Sequence, residues 1–322
     1  MKAYPSRIFH IELPRKHHFN PAFYLGRFAG PDGSVRELRL VHGKVVLKSR
    51  HPDATGFQTD LYRLEGVPEE HSQHLEVHFM SSLDNGAAKA LARIEAGDMM
   101  DWPSEERSNW VRFVVGFFFR NPANVVFIKS HIANIFDAAV EALERNYAEV
   151  RCPNDPKTFA EAYAKRNPAG AEIHATNFIA DLIDNDRLGP TIFDMHWAVL
   201  DVTRSKFSVL TSDRPLYMPL PLGQVGAYII LPLSPTKYFV AARQRQAIAQ
   251  LNSMDRTAIV LEINTAIVQQ AREFVWGRDD AQKGFVAKHF AKLPERPILT
   301  AEQMQEAIDA ARGATAADFN EP

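Results

Sequence analysis

The sequence predicts an α+β fold. Strand-like runs gather in two separated regions, about 35–64 and 197–241. Between them, residues 68–195 carry helical patterning with little interruption, and helices return after 241. Strands and helices are thus segregated, whereas a doubly wound sheet needs them to alternate. The two strand regions are expected to pair into one small mixed or antiparallel sheet against the helical middle and the C-terminal helices. Residues 1–295 are expected to form one domain, and 296–322 a C-terminal helix with a frayed tail around Gly313–Ala317.

The elements follow in order. Asn20 caps a short helix opened by Pro21, where proline loses no needed hydrogen bond. Pro31-Asp32-Gly33 marks a turn. Val35–Val41 and Lys44–Ser49 flank His42-Gly43 as a β-hairpin, with a third short strand about Thr59–Leu64. Pro68-Glu69-Glu70 opens a long helix reaching about Ala96, its acidic first turn matching the helix dipole. Leu75, Phe79, Leu83, Ala90 and Ile94 share its apolar face. Pro103-Ser104-Glu105-Glu106 opens a second helix, closed by Arg120 before Asn121-Pro122, and a third covers about Ala123–Ala148. Helices near 156–165 and 169–184 complete the middle. Strand pairs are expected at 197–201 with 207–211, and at 227–231 with 238–241, broken by Pro232 and Pro235. Helices are then expected at about 244–253, 256–276 and 281–291.

Composition excludes several classes of function. Lys plus Arg number 37 and Asp plus Glu 39, so no strong basic field draws the whole protein to nucleic acid. One cysteine, Cys152, excludes an intrachain disulfide and any all-cysteine metal site. The apolar run Phe113–Phe119 has seven residues, far short of the about 20 that cross a hydrocarbon core. No apolar stretch follows Lys2, so no secretory signal and no membrane partner is expected, and a cytoplasmic location follows. Neither a P-loop, a dinucleotide fingerprint nor a G-x-S-x-G elbow occurs. No nucleotide-cofactor motif is therefore present.

Four clusters could carry chemistry. His17 and His18, beside Asn20, are suited to proton transfer near neutral pH, or to packing and capping. His71, His74 and His78 follow at offsets of three and four. One helical face would hold all three, as an open zinc site requires. That face lies away from the apolar stripe, however, and the zincin spacing is absent, so solvated surface is the simpler expectation. Thr211-Ser212-Asp213-Arg214-Pro215 ends a strand, where ligand sites and tight turns both occur. Arg120 closes a very apolar helix and needs a carboxylate or water, with Asp84 and Glu76 as the partners in reach.

Taken in order, these segments resemble a known pattern. Lys16-His17-His18-Phe19-Asn20-Pro21-x-x-Tyr24-Leu25-x-x-Phe28 is similar to the opening of the uncharacterised bacterial and fungal family catalogued as domain of unknown function 4238. The family's acidic helix is matched by Glu76 and the region of Asp84. Its apolar helix ending in Arg and Pro is matched by Phe117–Pro122, although Asn121 separates Arg120 from Pro122 here. Thr211–Pro215, Pro232-Leu233-Ser234-Pro235, and Asn264 with Arg272 match the later motifs. The resemblance spans roughly residues 15–276. It implies that His17, His18, Ser212 and Asp213 belong to a recurrent pattern, and it assigns no reaction.

These readings lead to one functional expectation. A hydrolase of a phosphoester, nucleotide or nucleic acid would use His17, His18, Asp213 and Arg120 for catalysis, with Asn20, Tyr24, Asp84 and Ser212 binding ligand. A divalent metal is a candidate cofactor. The alternative is a non-catalytic module that binds a ligand or partner, with an anionic small molecule or nucleic acid as its target. A basic arm made by Arg15, Lys16 and Arg27 would be the contact with nucleic acid.

Overall fold

The computed structural model describes residues 13–98, 102–167, 169–295 and 299–313. Met1–Pro5 and residues 314–317 of the expected tail lie outside them. Helix accounts for about 51% and strand for about 16%, and every strand pairing is antiparallel, as an α+β fold requires.

The N-terminal arm is strand β1 (Lys16–His18), helix α1 (Ala22–Leu25) and a 3₁₀ turn (Gly26–Phe28). The expected hairpin follows as β2 (Val35–Val41) and β3 (Lys44–Arg50). The third strand, β4 (Phe57–Thr59), falls slightly earlier than expected and pairs with β1 instead of the hairpin. Gly56 makes this possible. Its φ is +68°, and a Cβ there would lie 2.7 Å from the Asn20 carbonyl.

The helix expected over 68–96 is built in three pieces. A 3₁₀ turn spans Glu69–His71, a π-helical stretch spans Leu75–Met80, and α2 runs Ser81–Glu95. The wider π turn buries Leu75 and Met80, five residues apart, and leaves Phe79 only half-buried. The middle continues as α3 (Ser104–Phe119), α4 (Pro122–Val150), α5 (Phe159–Arg166), α6 (Gly170–Ile183) and the short α7 (Leu188–Phe193), which the sequence reading lacked. Among the described residues no single helix is long and apolar enough to cross a membrane. Helices α3 and α4 pass that test only as a pair bent by 76°.

The later strands are β5 (His196–Asp201), β6 (Thr211–Ser212), β7 (Tyr228–Ser234) and β8 (Lys237–Ala242). Strand β7 runs through Pro232 with a register shift instead of breaking there. The expected pairing of 197–201 with 207–211 does not form, and β5 pairs with β8. The reason is Asn264, on helix α9 (Arg256–Gln270) after α8 (Arg245–Ser253). Its carboxamide accepts from the Leu210 N–H at 2.9 Å and donates to the Ser208 carbonyl at 2.9 Å. A side chain thus takes the hydrogen bonds that a neighbouring strand would have used.

Residues 271–276, expected as the end of a helix, instead yield strand β9 (Phe274–Gly277). This strand lies between β2 and β6 in the sheet order β3-β2-β9-β6, while β5-β8-β7 forms a second sheet. The two strand regions are therefore joined only in part, through β9, whose sequence pattern predicts helix. Helices α10 (Lys283–His289) and α11 (Ala301–Ala311) are the last elements among the described residues. A capping box of Thr300 with Gln303 starts α11, and Arg145 of α4 donates to the Arg312 carbonyl at 3.1 Å. One buried apolar cluster extends from Phe19 to Trp276. Its aromatic centre is Tyr24, Trp110, Phe113, Phe117 and Phe239.

Candidate functional site

The fold brings the N-terminal arm onto the end of α3, and Arg120 is the residue on which they meet. The side chain is fully buried, so its charge must be matched locally. Its Nη1 and Nη2 donate to the two Asp84 carboxylate oxygens at 2.9 and 3.1 Å, and Nη2 also donates to the His18 carbonyl at 2.7 Å. The Arg120 carbonyl accepts from the Tyr62 hydroxyl at 3.1 Å. One guanidinium therefore ties β1, α2 and α3 together. Burial pushes its pKa down and Asp84 outweighs that effect, so the charge is permanent.

Glu76 projects from the π-helical stretch into the same region. Burial raises its carboxyl to about 7, against the opposing pull of Arg120. His18 is the next neighbour. Burial lowers its pKa and Asp84 opposes the shift, so the imidazole is neutral near pH 7. Three buried polar atoms here have no hydrogen-bond partner among the described residues: His18 Nε2, Glu76 Oε2 and Arg120 Nε. Unsatisfied buried groups are rare in proteins and point to a ligand or a chemical role.

The Glu76 pKa has a consequence for stability. Its folded value near 7 stands above the ordinary 4.5, so between these values the folded chain holds a proton that the unfolded chain has lost. The favourable contribution is complete below pH 4.5 and is lost as pH rises through 7. At about 1.36 kcal/mol per unit, the loss approaches about 3 kcal/mol. Glu76→Gln is expected to be near neutral at pH 4.5 and stabilising by that order at pH 8. Urea titrations at both pH values measure this, and equal stability of the two proteins at pH 8 would count against a buried carboxyl.

The other expected residues separate from this cluster. His17 is fully buried and stacks on Tyr62. Its Nδ1 accepts from the Tyr62 N–H at 2.8 Å and its Nε2 donates to the Pro14 carbonyl at 3.2 Å. Both ring nitrogens are occupied by backbone, so the ring is placed as a structural clamp and not for proton transfer. Asn20 donates to the Ser212 carbonyl at 3.0 Å, and the Tyr24 hydroxyl shares a 2.7 Å hydrogen bond with Thr211. These contacts lock the arm onto β6.

Asp213 has a different use. Its carboxylate accepts from the backbone N–H of Arg272 at 3.0 and 3.2 Å and of Glu273 at 2.7 Å. Burial raises its pKa to about 6, while these N–H groups oppose the shift. Asp213 thereby stops α9 and starts β9. The Ser212 hydroxyl accepts from the Arg214 N–H at 3.1 Å and donates to the Ile267 carbonyl at 3.3 Å. The Thr-Ser-Asp motif thus shapes the backbone around Arg214 and Arg272. These two side chains, with Asn121, line both a small cavity beside Asp213 and a groove of about 550 Å³.

The three-histidine face does not form. His71 lies in the 3₁₀ turn, His74 precedes the π stretch and His78 lies within it, so the continuous helix needed to align them is missing. All three are exposed, and only His74 and His78 are ring neighbours, at 4.6 Å. Among the described residues no group of three His, Cys, Asp or Glu could hold a metal ion. Two of the three cations of the basic arm are paired with carboxylates. Arg15 pairs with Asp60, Arg27 pairs with Glu95, and Lys16 lies over the Phe57 ring. Glu76 is the residue whose weight the sequence understated, and its signals there were an acidic position about two turns before Asp84 and its reach to Arg120. Cys152 is exposed and free.

No curated protein and no solved structure matches the chain. A family described as protein of unknown function (DUF4238) matches residues 16–281, a span that runs from β1 to just beyond β9. It takes in the arm, the Arg120 cluster and the Thr-Ser-Asp motif. The chain belongs to this family of unknown function.

Proposed function

We propose that the protein is a hydrolase of a small phosphoester-type anion, with His18, Glu76 and Arg120 at its centre. The observation that carries this reading is that Arg120 and its two electrostatic neighbours, His18 and Glu76, each keep one buried polar atom without a hydrogen-bond partner among the described residues. A carboxyl near pH 7 is suited to accept a proton from an attacking water. The water oxygen would bond to phosphorus as the bond to the leaving oxygen breaks. Neutral His18 would give a hydrogen bond from Nε2–H to that leaving oxygen, which departs as an anion and takes its proton from solvent, and Arg120 Nε would hold a non-bridging oxygen. Asp84, with its side chain 21% exposed, forms the solvent edge of the cluster and orients the guanidinium.

The test is hydrolysis of p-nitrophenyl phosphate, bis(p-nitrophenyl) phosphate and a single-stranded oligonucleotide between pH 5 and 9. Turnover is expected to rise to an inflection near pH 7. Glu76→Gln is expected to lower it by roughly 10²–10⁴-fold, the range for loss of a general base. Equal turnover by the variant would exclude Glu76 as the base, and no turnover across the panel would remove the support for a phosphoester.

A second reading, ligand binding without turnover, is favoured by the groove beside Asn121. At about 550 Å³ it falls within the about 300–1,000 Å³ of small-molecule sites.

A further inference from the structure

We infer that this groove binds a small amphipathic carboxylate, and that Glu295 occupies the place of the ligand's head group until the ligand arrives. The inference stands apart from the acid–base cluster, and either could fail without the other. The walls of the groove include Phe118, Leu188, Leu216 and Met218, so its body is suited to an aliphatic or aromatic ligand. Two arginines mark one end of it.

Arg214 follows directly from the Thr-Ser-Asp motif, and Arg272 is the residue whose N–H is held by Asp213. Their side chains are 16% and 22% exposed, so both charges are largely withdrawn from water. Both turn toward the same atom, Oε1 of Glu295. Arg214 Nη2 donates to it, whereas Arg272 Nε lies 4.0 Å away. Arg272 Nε is itself buried and has no hydrogen-bond partner among the described residues.

One oxygen thus serves two guanidinium groups and satisfies only one. A free carboxylate has two oxygens and could supply one to each arginine, which is the planar geometry arginine favours. Glu295 is poorly placed to compete. Its side chain is 56% exposed, and it lies two residues after Leu293, whose N–H donates to the Gln269 carbonyl of α9 at 3.0 Å. The two guanidinium charges are countered by Glu295 and by the buried Asp213 beside Arg214, so a monoanion that displaces Glu295 keeps the end of the groove balanced.

Calorimetric titration of the full chain with octanoate, 1-octanol and octyl phosphate tests the inference. Octanoate is expected to bind at least about tenfold tighter than 1-octanol. Glu295→Gln removes the competing carboxylate and is expected to tighten octanoate by about tenfold without changing 1-octanol. Arg272→Met is expected to weaken octanoate by at least about tenfold. Equal binding of octanoate and 1-octanol, or no gain in Glu295→Gln, would overturn the inference. Since Glu295 is at the surface, that variant reports even if Arg272→Met fails to fold. Tighter binding of octyl phosphate than octanoate would overturn the assignment of a carboxylate head.

Discussion

Arg120→Met is expected to lower the stability of the chain by about 3–5 kcal/mol, the cost of breaking a buried ion pair by removing one partner. The variant leaves the Asp84 carboxylate and the His18 carbonyl without the donors that now lie at 2.7–3.1 Å. It also loosens the contact of β1 with α3, because the guanidinium is what joins them. Urea denaturation of the two proteins gives the difference directly. A second variant identifies its origin. Arg120→Met combined with Asp84→Leu removes both charges, and paired apolar replacement of a buried ion pair is often close to neutral. Much of the loss should therefore be recovered in the double variant. A double variant as unstable as the single one would mean that the His18 carbonyl bond, and not the uncompensated carboxylate, dominates.

Asp213→Ala is expected to cost about 2 kcal/mol, because it leaves two part-buried N–H groups, those of Arg272 and Glu273, without their acceptor, each at the low end of about 1–3 kcal/mol. The effect should reach the sheet, since these two residues lead into β9 and β9 lies between β2 and β6. Hydrogen exchange at Val275 and Trp276 would rise well above that of the native protein. The carboxyl's pKa near 6 supplies a further signature. The folded value stands above the ordinary 3.8, so the contribution of Asp213 to stability is fullest below pH 3.8 and declines as pH rises through 6. His17 and His18 act in the opposite sense, because their lowered pKa values cost stability as pH falls through the ordinary 6.5. The difference between native and variant curves isolates Asp213, and it should narrow between pH 4 and 6. A constant difference would show that the carboxyl is ionised throughout. In either case the loss is one of folding, which separates Asp213 from the catalytic role its motif first suggested.

Much of this molecule was legible in its amino acids. The hairpin Val35–Arg50 was readable from alternation about His42-Gly43, and the helices α3, α4, α6 and α8 from period and capping residues. These are local properties, set by backbone sterics and by which faces must be buried. The family was legible too, because its two short motifs lie in compact runs of sequence. Three features were decided only by tertiary contact. The helix stops at Gln270 and residues 274–277 form a strand because Asp213, about 60 positions earlier, takes the N–H groups that would have continued the helix. Residues 207–211 remain outside the β5 pairing because Asn264 satisfies their backbone. The proposed site centres on Glu76, Asp84, Arg120 and His18, and not on His17 and Asp213, because what a side chain can do depends on which of its atoms are already bonded. His17 and Asp213 spend theirs on backbone groups, whereas His18, Glu76 and Arg120 each retain one buried atom that no described residue satisfies. Sequence names the donors and acceptors, and only the packed chain determines which of them are left over.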